Sequence, residues 1–187
     1  RFTESTPEYF TLHPYLLKEY NNRWYLVGWQ PDKDRIFTLA IDRIIEFEHL
    51  AEEKFNPYKG NIEDHFKDTI GITVYDDSAP EDIIFWASNI IVPYIETKPF
   101  HQSQSKDVLD ELSLKAKYEL PDEGQLYKIR CTLNLELEQA LTRHFGDLIV
   151  LEPLNLRSSI AEKVRIMQKR YENLENNKPT NIEFAKT

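Results

Sequence analysis

Arginine and tyrosine stand close together near the start of the chain, in the order Arg23-Trp24-Tyr25-Leu26. Successive side chains of a strand point to opposite faces, so Arg23 and Tyr25 share one face. We expect Trp24 and Leu26 to fill the core, which leaves Arg23 and Tyr25 on the other side. The planar guanidinium of arginine matches a phosphate with two hydrogen bonds, and a tyrosine ring offers a stacking surface.

Further basic side chains reach the same region. Lys18 lies across a predicted hairpin from this segment, and Arg35 and Arg43 come from the segments that follow. Such a set on one sheet face would bind an anion or a nucleotide. The alternative is that each arginine pairs with a nearby carboxylate on a solvated surface, and the spacing leaves both interpretations open. Three aspartates are available for such pairs: Asp32, Asp34 and Asp42.

The charge of the chain argues against a broad nucleic-acid-binding surface. Lys and Arg total 23 and Asp and Glu total 32, a formal net charge of −9. Residues 11–45 differ, because five basic and four acidic side chains give them a local charge of +1. A locally basic segment on an acidic protein suits a pocket for a small anion better than a long DNA contact, since the phosphate backbone favours positive surfaces.

Motifs for the common catalytic chemistries are missing from the sequence. It has no glycine-rich nucleotide loop, no Walker-type lysine and no serine elbow. Its five histidines lack the tight spacing of a zinc site. Cys131 alternates with Ile129 and Leu133 on a predicted strand and therefore faces the core. We predict no catalytic residue, no metal and no cofactor. A nucleic-acid hydrolase would need a metal or an acid–base constellation that the sequence does not offer.

The length and composition limit the class of protein. The 187 residues, 41% of them hydrophobic, suffice for one large domain or two small ones. No apolar run is long enough to cross a bilayer. The single cysteine cannot form an internal disulfide, so we expect a cytoplasmic protein with no membrane partner. Residue 1 is Arg, and we expect the chain to be a fragment of a longer protein.

The first part of the chain has the pattern of short strands joined by tight turns. We predict a hairpin of residues 15–20 and 23–29 around Asn21-Asn22, because asparagine tolerates the left-handed backbone of a two-residue turn. A strand over residues 35–40, continuing extended through 41–47, a short helix over 62–68 and a strand over 71–75 follow. Meandering strands of this kind favour a small closed barrel. The polar stretch ending at Pro80 marks the boundary between two units.

The second part predicts a β-α-β-β-α-β order, which is the ferredoxin-like pattern. Its strands are expected over residues 83–87, 115–120, 126–133 and 148–151. The helices are expected from Ser88 to about Thr97, and over residues 135–145 with Asn134 as the N-cap. A last helix begins near Ser158 or Ser159, and its apolar stripe packs either on its own domain or on a second chain. The stripe consists of Leu156, Ile160, Val164, Met167, Tyr171 and Leu174.

Three stretches of the first half resemble the WYL domain, which is named after the Trp-Tyr-Leu at residues 24–26. They are His13-Pro14-Tyr15-Leu16-Leu17-Lys18, Asn22-Arg23-Trp24-Tyr25-Leu26-Val27-Gly28, and residues 35–39 followed by Ile41-Asp42-Arg43-Ile44. The second half resembles WCX, the C-terminal extension that often follows a WYL domain, in residues 97–104, 134–138 and 150–153.

The resemblance implies both a fold and a function. The fold is an α+β chain: a small Sm-like or SH3-type β-barrel for ligand sensing in residues 1–77, then a ferredoxin-like βαββαβ domain with a C-terminal helix for dimerisation in residues 78–187. The function is that of a bacterial transcriptional regulator, acting as a homodimer, that contacts DNA only through a helix-turn-helix absent from this chain.

WYL domains are thought to sense nucleotides or single-stranded nucleic acid through basic and aromatic residues of the barrel. The ligand-binding residues implied here are His13, Arg23, Tyr25, Arg35 and Arg43, and the predicted hairpin adds Lys18. Our leading hypothesis is therefore a ligand sensor for a nucleotide or a short single strand, and not an enzyme. The alternative is a protein-interaction and oligomerisation module with no small ligand.

Overall fold

The computed structural model describes residues 7–75 and 77–176, which form a mixed α+β chain with two antiparallel sheets of three strands each. The first sheet has the order β1-β2-β3 and the second β5-β4-β6. The strands are β1 His13–Tyr20, β2 Arg23–Gln30, β3 Arg35–Ala40, β4 Glu81–Ala87, β5 Gln125–Cys131 and β6 Leu148–Glu152. The α-helices are α1 Val92–Thr97, α2 Glu111–Lys117, α3 Leu135–Thr142 and α4 Leu154–Asn176.

The first hairpin forms as predicted. Asn21 and Asn22 have φ angles of 49° and 60°, the left-handed backbone that a two-residue turn between twisted strands requires. This turn sets the register, in which Lys18 pairs with Tyr25 and Tyr20 with Arg23. The turn therefore fixes which side chains of β1 and β2 share a face.

The first sheet stays open in the described part of the chain, and no closed barrel is seen there. The predicted continuation of the third strand is wrong, because Ile41–Arg43 forms a 3-10 helix and residues 44–60 form no strand. Phe47 in this segment is 88% exposed, so this part of the segment is not packed as a strand of the sheet would be. The strand expected over residues 71–75 is also wrong. The short helix after Asn61 is present as the 3-10 helix Ile62–Phe66.

The second sheet carries the main hydrophobic core and is covered on both faces. On one face, Phe85 and Ile83 of β4 pack with side chains of α1, α3 and the start of α4, among them Ile95, Leu137 and Leu156. On the other face, a smaller cluster contains Trp86, Leu126 and Leu151, with Leu114 and Tyr118 packed against it. Helices thus enclose this sheet from both sides.

The region between α1 and β5 corrects the predicted hairpin. Residues 115–120 were expected to form a strand, but α2 occupies Glu111–Lys117 instead. Apolar residues at 112, 114, 116 and 118 alternate with polar ones, a pattern that is typical of a strand. The helix is stabilised by an ion pair of 3.0 Å between Lys115 and Glu111, one turn apart. Within the described residues the sheet therefore lacks the fourth strand of a ferredoxin-like unit. A single bridge of Ser105 with Lys128 lies along β5.

The segment after Asn61 is tied to the second sheet and its helices. Asn134 accepts a hydrogen bond from the Leu137 N–H at 2.8 Å and so caps α3, as predicted. Its amide also donates to the carbonyls of Ile70 and Thr73, at 3.0 and 2.9 Å. One side chain therefore both starts a helix and holds this segment in place.

Helix α4 starts earlier than predicted. It begins at Leu154, so Ser159 lies inside the helix and is not its cap; its hydroxyl donates to Glu138 Oε2 at 3.2 Å. Only Leu156 of the apolar stripe is buried, and Ile160 packs against the core. The remainder of the stripe continues beyond the core. Across the described residues, no helix is long and apolar enough to span a membrane.

Candidate functional site

The first sheet presents two faces of different character. Strand alternation and the observed register place His13, Lys18, Arg23 and Tyr25 on one side, which we call the inner face. The inner face also contains Val27, which is completely buried. The structure therefore brings four of the six predicted ligand-binding residues onto one face.

The opposite, outer face contains Leu17, Trp24, Leu26 and Arg35. Trp24 was expected to fill the core, but it is 52% exposed. Arg35 lies opposite Gln30 in the register of β2 and β3, and this register places its side chain on the outer face, away from the other candidates. Its Nε donates to Gln30 Oε1 at 3.3 Å, and its guanidinium carbon lies 5.1 Å from the centre of the Phe37 ring.

Arg23 on the inner face already has an acidic partner. Its Nη2 lies 3.2 Å from Asp42 Oδ2 in an exposed ion pair. At this position the structure thus shows the alternative that the sequence left open, an arginine neutralised by a neighbouring aspartate. Arg43 is exposed at the end of the 3-10 helix Ile41–Arg43, which also contains Asp42. It too interacts with other residues of the chain. Arg23, Arg35 and Arg43 therefore do not form one unpaired cluster.

His13 is part of the packing of the sheet. It is buried, its Nδ1 accepts a hydrogen bond from the Asn56 N–H at 3.0 Å, and its ring centre lies 5.1 Å from that of Trp29. Its Nε2 has no hydrogen-bond partner and lies 3.9 Å from Glu53 Oε1. These contacts tie the irregular segment around Asn56 to the start of β1 and leave His13 little access to a ligand.

Lys18 differs from the arginines because it opens onto a cavity. A groove of about 710 Å³ runs along β1, and we call it the β1 groove. Its walls are residues 16–19 of β1, the segment around Phe66 and Lys67, and residues 99–102. The Lys18 ammonium lies 4.8 Å from the centre of the Phe66 ring, a cation–π distance. Two lysines, two phenylalanine rings and a histidine thus meet in a single open site.

The walls of the β1 groove are held together by His101. Its Nε2 donates to the Lys67 carbonyl at 2.8 Å, and its Nδ1 lies 2.7 Å from the Ser103 hydroxyl. A carbonyl oxygen only accepts hydrogen bonds, so Nε2 carries the proton. The side chain of Gln102 donates to the same carbonyl at 3.1 Å. The segment around Lys67 is therefore fixed to the loop at residues 99–102.

The charges of the β1 groove are balanced. Lys18 and Lys67 carry two positive charges, and Glu19 and Glu63 carry two negative ones. Nearby, burial raises the pKa of Tyr20, and the charge of Glu136 raises it further; the Tyr20 hydroxyl therefore stays protonated at neutral pH. Such an arrangement can hold one anionic group at the lysines, but it disfavours a ligand of high negative charge.

Among the residues that line the β1 groove, the sequence predicts Lys18 as a ligand contact but not Phe66, Lys67, Phe100 or His101. Residues 97–104 were noted only as part of a resemblance, and Phe66 and Lys67 stand at the end of a short helix that has no motif. The groove arises from contacts among three segments that are far apart in sequence. Among residues 7–75 and 77–176, no group of three or more His, Cys, Asp or Glu side chains could hold a metal ion.

Comparison with known proteins supports the N-terminal resemblance. Residues 1–49 match the model of the WYL domain, which confirms the resemblance for this segment of the 187-residue chain. No curated protein matches the sequence. Among solved structures, the chain is similar to the proteasome accessory factor B/C (PafBC) of Arthrobacter aurescens, at 14% identity and a TM-score of 0.33. The similarity covers 94% of this chain and 24% of that one, so the chain spans about a quarter of that protein.

Proposed function

We propose that this chain is the ligand-sensing part of a transcriptional regulator and binds a nucleotide or a short single strand of nucleic acid in the β1 groove. The observation that carries the proposal is the position of Lys18. It lies within the segment that matches the WYL domain, and its side chain opens onto the groove beside Phe66 and Lys67.

The composition of the β1 groove fits the two parts of a nucleotide. Lys18 and Lys67 can contact a phosphate, and the apolar wall at Phe66, Pro99 and Phe100 can contact the face of a base. The carboxylates of Glu19 and Glu63 can accept hydrogen bonds from amino groups on the edge of the base. The balanced charge favours a mononucleotide or a very short strand over a long polyanion.

The location of the β1 groove suggests how binding is transmitted. One wall belongs to the first sheet and another to the loop at residues 99–102 beside the second sheet. A ligand that contacts both walls stabilises one arrangement of residues 1–77 relative to residues 78–187, the two domains that we propose. We propose that the second domain is a ferredoxin-like unit that lacks one edge strand. We propose further that the chain acts as a cytoplasmic homodimer without catalytic activity. DNA would be contacted by a helix-turn-helix outside this chain.

A direct titration tests this proposal. Short single-stranded oligonucleotides and cyclic nucleotides are titrated against the unaltered chain, Lys18→Ala, Lys67→Ala and the control Lys33→Ala. Loss of a charge-assisted hydrogen bond of about 1.5–3 kcal/mol weakens binding about 10-fold or more for Lys18→Ala and Lys67→Ala. Lys33 pairs with Glu8 at 2.9 Å, outside the groove, so Lys33→Ala binds like the unaltered chain. Arg23→Ala has a smaller effect because Asp42 already neutralises Arg23.

The second candidate function is a protein-interaction module without a small ligand. The outer face of the first sheet favours it, since Leu17 is 56% exposed and Trp24 52% exposed in neighbouring strands. In that case no nucleotide binds or shifts the melting temperature, and Lys18→Ala leaves all ligand titrations unchanged. Retention of a partner protein that is lost in Trp24→Ala would then identify the outer face as the functional surface.

A further inference from the structure

The outer half of helix α4 has an apolar stripe that nothing in the described part of the chain covers. Leu156 and Ile160, at the start of the helix, pack against the core of the second sheet. Farther along, exposure ranges from 40% at Met167 to 68% at Leu174. Four large apolar side chains on one side of a water-facing helix require a partner to be buried.

The spacing of this stripe is that of a coiled coil. Ile160, Val164, Met167, Tyr171 and Leu174 follow one another at intervals of four, three, four and three residues. This is the a/d pattern of a heptad repeat, with Val164 and Tyr171 at a and the other three at d. A period of 3.5 residues keeps the stripe facing a second helix along its length.

The surface of α4 also has the shape that a partner helix needs. A shallow groove of about 530 Å³ is lined by Lys163 and Ile166 together with Met167, Arg170, Tyr171 and Leu174. The last four positions are related as i, i+3, i+4 and i+7, the arrangement that forms the hole for a knob in a coiled coil. In a parallel dimer in register, this hole receives the residue at the equivalent a position, which is Tyr171 of the second copy.

We infer that the outer half of α4 pairs with α4 of a second copy of this chain in a parallel coiled coil. The inference rests on the homodimer of the proposed function and locates its interface. The charges beside the stripe select the orientation: Arg170 at g faces Glu175 at e of the second helix when the helices are parallel. Antiparallel helices bring g against g, where both residues are basic; Lys163 already pairs with Glu138 of its own chain, so Arg170 supplies the repulsion.

Sedimentation equilibrium of the full chain tests the interface. Met167→Asp places a charge in the seam, and we expect its dimer dissociation constant to rise at least about 10-fold. The control is Lys169→Asp, which introduces the same side chain at the f position on the opposite side of α4 and leaves the dissociation constant within about 2-fold. Because Met167 is already exposed in the monomer, both variants keep the circular dichroism spectrum and melting temperature of the monomer.

Disulfide crosslinking tests the orientation. In a parallel pair the d positions face each other, so Leu174→Cys forms a crosslinked dimer under mild oxidation, whereas Lys169→Cys does not. The native Cys131 is fully buried and does not compete.

Three results would overturn the inference. They are a chain that stays monomeric at 100 µM (about a hundred times a micromolar Kd), a dimer unaffected by Met167→Asp, and crosslinks that form only between Val164→Cys and Leu174→Cys chains. A nucleotide titration of Met167→Asp separates this inference from the proposed function, because the β1 groove of a monomeric variant can still bind ligand.

Discussion

The two sheets differ in how much of their apolar surface the chain itself covers. The second sheet is enclosed by helices on both faces, with Phe85 and Trp86 on opposite sides of β4, both buried. The first sheet buries Val27 and Ala40 on its inner face but leaves Trp24 and Leu17 largely exposed on its outer face. The second sheet therefore supplies most of the stability, and the first presents side chains to something other than its own core.

This difference gives the two regions different parts in the proposed function. Lys18, the ligand contact that we propose, lies on the weakly covered sheet, where side chains are accessible. The second sheet supplies the rigid wall against which the β1 groove is built, through the loop at residues 99–102 and the hydrogen bonds of Asn134. Binding sites commonly combine an accessible segment with a rigid scaffold in this way.

Replacing a tryptophan in each sheet gives the largest expected contrast. Trp86 is 7% exposed and Trp24 52% exposed. Trp86→Ala removes a buried ring and lowers the free energy of unfolding by about 3–5 kcal/mol. Trp24→Ala lowers it by about 1 kcal/mol or less, because little buried surface is lost. Urea denaturation followed by circular dichroism measures both. Equal losses would mean that the outer face is packed in solution and that the two sheets do not differ as described.

Variants of Asn134 distinguish two contributions to stability: the capping of α3 and the anchoring of the segment at residues 70–73. Asn134→Ala removes the cap of α3 and both bonds to the carbonyls of Ile70 and Thr73, at an expected cost of about 2–3 kcal/mol. Asn134→Ser keeps a capping oxygen for the Leu137 N–H without the charge of an aspartate, and it loses the two amide donors. We therefore expect an intermediate loss of stability and faster amide exchange over residues 67–75. Identical stabilities of the two variants would show that the segment is held by other contacts.

The buried thiol of Cys131 reports how far the core of the second sheet excludes solvent. Burial raises the pKa of Cys131 to about 12, and the charge of Asp68 adds to the effect. The unfolded chain loses the thiol proton near its ordinary pKa of 9.0, whereas the folded chain keeps it until about 12. The stabilisation is therefore complete below pH 9.0 and is lost as the pH rises from 9.0 towards 12. In a Cys131→Ala variant this component of the alkaline loss of stability disappears, as denaturation at pH 8 and pH 10 can show.

The same thiol also permits a direct comparison of the two sheets. At pH 8 a thiol reagent labels Cys131 only when the core opens, whereas a Leu17→Cys variant, on the exposed outer face, also reacts at the rate of a free peptide thiol. Rapid labelling of both positions would contradict the difference in coverage.

The sequence predicts the local elements of both regions better than their assembly. Asn21-Asn22 identifies the first hairpin, and Asn134 identifies the start of α3, because each residue acts on its own backbone. The strand predicted over residues 115–120 is wrong: the apolar residues alternate from 112 to 118 as they do in a strand, yet residues 111–117 form α2. The closed barrel was expected from the meandering short strands and from the resemblance to the WYL domain, but the described residues after Arg43 do not extend the sheet.

The candidate site shows the same limit. Strand alternation correctly places Arg23 and Tyr25 on one face, but it does not tell which face is covered, so Trp24 was assigned to the core. The partner of Arg23 was among the acids available in the sequence, and only the structure shows that Asp42 takes this role. The β1 groove joins Lys18 to Phe66 and Phe100 from distant segments, and no local pattern predicts such a contact.

Photo-crosslinking of a short single-stranded oligonucleotide that carries a halogenated uridine tests the central claim most directly. A base stacked in the β1 groove lies beside Phe66 and Phe100, so mass spectrometry of the digested adduct should locate the crosslink at one of these two rings. The yield should fall sharply in Lys18→Ala and stay unchanged in Lys33→Ala. A crosslink at Trp24 on the outer face, or a yield that Lys18→Ala does not alter, would contradict a nucleotide-binding groove along β1.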